Sequence, residues 1–149
     1  MTAKLKHGIT KVKDPGSALT HFIAMILAII AAMPLLSKAG HDSGHMHISA
    51  LAVFILSMIG LYAASTIYHT LDISPKINKL LRKIDHMMIF ILIAGTYTPV
   101  CMIVLGDKTG WTMLTLVWGI AIVGILINAL WITCPKWFSS LIYIAMGWV

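Results

Sequence analysis

Histidine, aspartate and serine recur in this sequence at spacings suited to a hydrolytic or metal-assisted site. Ser65 and His69 are four residues apart, so on a helix both project from one face, and Tyr62 and Thr66 extend that polar side. Asp85 and His86 are adjacent, and Asp14, Ser17 and His21 form a third cluster. Imidazole is a good zinc ligand, and a catalytic zinc commonly takes three protein ligands and a water. Such an ion lowers the pKa of its water and polarises a carbonyl. In that chemistry His69 is the candidate ligand. Asp85 receives or orients the water's proton without binding metal, and Ser65 donates a hydrogen bond to a ligand or substrate oxygen.

Each residue also has a reading without chemistry. His69 can be an interfacial histidine bonded to a carbonyl or a headgroup, and His21 can pack against headgroups. Asp85 can cap the third helix, where a carboxylate meets the positive end of the dipole. Ser65 can bond back to a carbonyl one turn earlier. Asp14 followed by Pro15 is a natural helix start. His41, Asp42, His45 and His47 either collect metal ions or belong to a solvated loop, and the loop is the simpler expectation.

The elements that must position these groups are read from composition. Of the 149 residues, 59% are hydrophobic and 11% charged, against about a quarter charged in soluble domains. Mean hydropathy is +0.91. Glu is absent, and the five acidic residues are Asp14, Asp42, Asp72, Asp85 and Asp107. So few charges cannot cover a water-exposed surface of this size, whereas a bilayer accepts apolar side chains on the outside. The net charge of +6 does not point to nucleic acid. Lys4, Lys6, Lys11 and Lys13 precede the first apolar run, and Lys76, Lys79, Arg82 and Lys83 separate the second from the third. These are topology signals, with anionic headgroups as neighbours and membrane lipids as the expected partners. Cys101 and Cys134 are the only cysteines, with no CxxC pair, which argues against a structural disulfide or a cysteine metal site.

A hydrocarbon core about 30 Å thick takes about 20 apolar residues in a helix. Four runs meet that length: about Ala18–Leu36, Ile48–Thr70, His86–Leu105 and Trp111–Thr133. A fifth starts near Ser139 and reaches Val149 after eleven residues, too few to span. The expectation is an all-α polytopic transmembrane bundle forming one domain over 1–149, with four full helices and part of a fifth. The Lys and Arg distribution puts the N-terminus and the loop after the second run on the cytoplasmic side, most simply of the plasma (inner) membrane. A cleaved signal peptide competes for the first run, and Ser37-Lys38-Ala39 loosely resembles a cleavage site. The run exceeds a typical h-region of about 7–15 residues, which favours an uncleaved helix. Pro99 cannot donate to the Gly95 carbonyl, so a kink is expected in the third helix. Trp111, Trp131 and Trp137 fall near helix ends, as interfacial anchors do.

Three blocks then resemble a known family. Asp14-Pro15 with Ser17 and Thr20-His21 resembles the opening motif of the haemolysin III family. Ala64-Ser65-Thr66-Ile67-Tyr68-His69 resembles its second-helix motif, and Asp85-His86 with Ile93-Ala94-Gly95-Thr96-Tyr97-Thr98-Pro99 its third-helix signature. The family is grouped with progestin and adipoQ receptors and alkaline ceramidases. The resemblance implies seven transmembrane helices, a cytoplasmic N-terminus and a zinc site near the cytoplasmic face. It makes His69 the first ligand, Asp85 the nearby aspartate and Ser65 the serine one turn before the histidine. The two further ligands belong to an HxxxH motif on a seventh helix. The sequence contains no such motif after its fifth run, so those ligands are expected beyond Val149, in a longer protein or lost from a truncated product. His21 and His86 share the layer, but the family pattern does not make them ligands.

Three functions are compatible with this. The first is a zinc-dependent, hydrolase-like membrane protein acting on a lipid amide or ester. The second is a non-catalytic receptor or regulator of membrane lipid homeostasis. The third, a pore-forming haemolysin, is disfavoured by uniformly apolar runs with no charged stripe to line a channel.

Overall fold

The structure is a computed structural model that describes residues 12–42, 44–131 and 136–149, with the backbone alone at 41, 42 and 136. Among the described residues every regular element is helical. The helices are α1 (Pro15–Asp42), α2 (Gly44–Thr70), α3 (Pro75–Pro99), α4 (Lys108–Leu130) and α5 (Lys136–Gly147). A π-helical turn, Val100–Leu105, continues α3. Among the described residues four spans are long and apolar enough to cross a membrane: Pro15–Gly40, Gly44–Thr70, Pro75–Leu105 and Lys108–Leu130. At a rise of 1.5 Å per residue even the shortest covers roughly 35 Å, more than the hydrocarbon core. This is a polytopic helical membrane bundle.

The helices run longer than their apolar windows. α1 continues through Ser37, Lys38 and Gly40, and α2 already includes His45 and His47, so the expected first loop is largely helix. The side chains of His41 and Asp42 lie outside the described residues, as do Lys4, Lys6, Lys11, Thr133 and Cys134. Extending the helix keeps backbone groups paired where water is scarce, which outweighs local polarity.

The largest shift is at α3, which starts at Pro75, not near His86. Ser74 is its N-cap: the backbone is extended there (φ −159°, ψ 158°), its Oγ accepts from the Ile77 N–H at 3.3 Å, and Pro75 occupies the first turn. Lys76, Lys79, Arg82 and Lys83 therefore ride on a helix and not in a loop. Lys83 Nζ donates to the Ala129 carbonyl at 2.8 Å, a cation on the last turn of α4. Lys83→Met is expected to cost about 1 kcal/mol and to speed amide exchange at Leu130 and Trp131, read by hydrogen exchange in detergent.

Pro99 yields a π-helical turn instead of a simple kink. Its ring nitrogen cannot donate, and over the next six residues the ladder widens. The turn ends at Gly106, whose left-handed φ of 55° suits a residue without Cβ, and whose N–H reaches the Cys101 carbonyl at 3.1 Å. Asp107 then caps α4, its Oδ1 accepting from the Gly110 N–H at 3.0 Å.

The helices pack in an up-and-down series: α1 on α2, α2 on α3, α3 on α4, and α5 against both α3 and α4. Phe90 and Ala94 of α3, Val117 and Ala121 of α4 and Met146 of α5 form the closed core. Trp118 Nε1 donates to Thr98 Oγ1 across α3 and α4 at 3.2 Å. α2 and α3 cross closely at Gly95, where an added Cβ would meet the Ser57 side chain. α1 packs on α2 alone, and Leu27, Ile30 and Met33 remain on its open face. Lipid chains satisfy such a face.

Candidate functional site

Antiparallel packing brings five helix ends to one side: the start of α1, the end of α2, the first half of α3, the end of α4 and the start of α5. The residues singled out by chemistry meet there.

Asp85 lies ten residues inside α3, so it is not the helix cap. It is buried, its side chain 13% exposed. A carboxylate in that setting needs partners. Ser65 of α2 and the His69 and His86 imidazoles lie within electrostatic reach of it. Ser65 is itself buried. Its neighbour Thr66 back-bonds to a carbonyl one turn earlier, that of Tyr62, at 2.7 Å. His86 Nδ1 stands 3.6 Å from Asp85 Oδ2, beyond direct hydrogen-bond distance, and is buried without a hydrogen-bond partner among the described residues. The His86 carbonyl accepts from Tyr143 Oη at 2.9 Å, which ties α5 to this layer.

His69 is held from the other side. Its Nδ1 is 3.2 Å from Asp14 Oδ2, and its carbonyl accepts from the Asp14 N–H at 2.9 Å. Ser17 Oγ donates to the same Asp14 Oδ2 at 3.0 Å. The ring stacks on His21, centroids 5.6 Å apart, and meets Tyr68 edge-on at 4.8 Å. His21 also approaches Tyr62, at 6.0 Å, so it packs within the α1–α2 hairpin. Lys13 Nζ covers the Tyr68 ring at 3.6 Å.

Ser65, His69 and Asp85 are thus brought to one layer, together with His21, His86 and Asp14. The reading of the residues missed the Asp14–His69 pair. The signal was available in the near-equal lengths of the first two helices, which place the start of one beside the end of the other. A zinc site can be tested against this donor set. Among the described residues no group of three or more His, Cys, Asp or Glu is arranged to hold a metal ion. The one nitrogen of His69 engaged by a side chain is engaged by Asp14. These residues by themselves do not fit zinc. What the arrangement offers is a buried carboxylate that can accept a proton, a hydroxyl beside it, and an imidazole whose orientation is fixed.

Comparison with known proteins covers nearly the whole chain. A family model described as "Haemolysin-III related" matches residues 9–149. The chain is 38% identical to "Hemolysin-3" of Bacillus cereus over 150 residues, covering 100% of this chain and 68% of that protein. It is 35% identical to "Hemolysin-3 homolog" of Bacillus subtilis (strain 168) over 137 residues, 92% of this chain and 64% of that one. The chain therefore spans about two thirds of the length of these relatives. No solved structure matches it.

Proposed function

This chain belongs to the haemolysin III family, and from that premise we propose that it is a hydrolase-like membrane protein whose Ser65–His69–Asp85 layer acts on the amide or ester bond of a membrane lipid. The observation that carries this reading is the buried Asp85 carboxylate close beside the buried Ser65 in a bundle of lipid-facing helices. An ionisable group at that depth is expensive without a use. In the proposed reaction Asp85 accepts the proton of the water whose oxygen bonds to the substrate carbonyl carbon, and returns it to the amine or alkoxide that leaves as the C–N or C–O bond breaks. Ser65 turns its hydroxyl to the substrate carbonyl oxygen, and His69 completes the polar wall.

A zinc ion here would need donors from outside the described residues. Metal analysis of the purified chain is expected to return well below one zinc per chain. A full equivalent of zinc that disappears in His69→Ala would instead establish a metal centre built on these residues. The basic residues that precede α1 and line the start of α3 support a cytoplasmic side for this layer in the plasma membrane, within the seven-helix bundle the family resemblance implies.

The direct test is incubation of the chain in vesicles of amide- or ester-linked lipids, with released fatty acid measured by mass spectrometry. Release above empty vesicles supports the reading. Steady lipid composition together with altered membrane fluidity in cells would favour a regulator. Ion conductance at low protein-to-lipid ratio would favour the lytic activity carried by the relatives' names.

A further inference from the structure

His69 has two ring nitrogens, and only one can carry the lone pair in the neutral ring. Asp14 Oδ2 lies 3.2 Å from Nδ1, and an ionised carboxylate only accepts. Of the two ring nitrogens, it is Nδ1 that faces this acceptor. Four further contacts make this a built arrangement. The Asp14 N–H to His69 carbonyl bond fixes the two backbones, and Ser17 Oγ orients the same carboxylate oxygen. His21 stacks on the ring face while Tyr68 meets its edge. The Asp14 side chain is 52% exposed, and an ion pair that open contributes little to stability. Its lasting effect is on the imidazole.

We propose that Asp14 is a positioning residue of the site: from the start of α1 it locks His69 as the Nδ1–H tautomer and leaves Nε2 as the ring's single lone pair. Resting on the hydrolase-like reading above, this makes Nε2 the ring's hydrogen-bond acceptor in the polar wall, while Asp85 takes the water's proton. It gives α1, which otherwise packs only on α2, a part in the chemistry.

The test needs neither substrate nor metal. The chain, labelled with ¹⁵N-histidine and reconstituted in nanodiscs, is examined by NMR at about pH 8, above the ordinary imidazole range. His69→Gln identifies the His69 signals. Wild type is expected to show His69 with a protonated Nδ1 and an unprotonated Nε2. Asp14→Ala removes the acceptor but keeps the backbone pairing, and the Nδ1–H fraction should fall below half. Asp14→Asn, whose amide oxygen still accepts, should retain most of it. A wild-type His69 protonated on Nε2, or doubly protonated, overturns the proposal even if no variant folds. Unchanged signals in a folded Asp14→Ala overturn it as well. A locked tautomer without lipid turnover would leave the positioning intact and defeat the hydrolase reading alone.

Discussion

Gly95→Leu is expected to destabilise the bundle by about 3 kcal/mol, the upper part of the range for overpacking a tight contact. A Cβ at position 95 would already run into the Ser57 side chain, with Ser57 Cβ only 2.8 Å away. Oγ can rotate, but Cβ is fixed to the α2 backbone, so the helices must separate. The same crossing carries Ser65 to Asp85. Separation would therefore loosen the polar layer as well as the packing. Unfolding in mixed micelles of rising SDS fraction measures the loss. Gly119→Leu is the control, because an added Cβ there meets nothing within 4 Å. Equal stability of both variants would show that α2 and α3 do not cross this closely in the membrane.

Asp85→Asn is expected to lower lipid hydrolysis by about 10²–10⁴-fold, the usual share of a general base, while leaving the fold in place. Asparagine matches the volume and still offers an oxygen to Ser65, but it has no negative charge and accepts no proton. A neutral asparagine lifts the cost of burying a charge, which offsets the contacts it weakens. Loss of turnover with unchanged or raised resistance to SDS would therefore separate chemistry from architecture. Full turnover in this variant would remove Asp85 from the reaction. A fluidity phenotype that survives it would identify a regulator.

The spans and the polar layer were legible because the bilayer demands long apolar runs and makes polar exceptions conspicuous. Ser65 and His69 share a helix face by spacing alone. The start of α3 was not legible in the same way, since Lys76, Lys79, Arg82 and Lys83 interrupt hydropathy while remaining good helix formers. Ser74-Pro75 was the signal that would have placed it. With the start set at His86, Asp85 looked like a cap. With the start at Pro75, the same carboxylate lies in the helix interior and calls for a different explanation. The Asp14–His69 pair joins residues far apart in sequence, and it follows only once the α1–α2 hairpin register is known.

The overhang of α3 has a consequence for how a substrate would arrive. Ten residues at 1.5 Å each put Asp85 about 15 Å along the axis from Pro75, below a collar of basic side chains. Such a collar settles among phosphates, which leaves Asp85 nearer the level where acyl linkages begin. A molecule processed there need never leave the bilayer. It arrives by lateral diffusion, so encounter depends on its mole fraction in the sheet and not on its amount per volume of buffer. Diluting a reactive lipid with an inert one should slow turnover in proportion, and diluting the vesicles themselves should not.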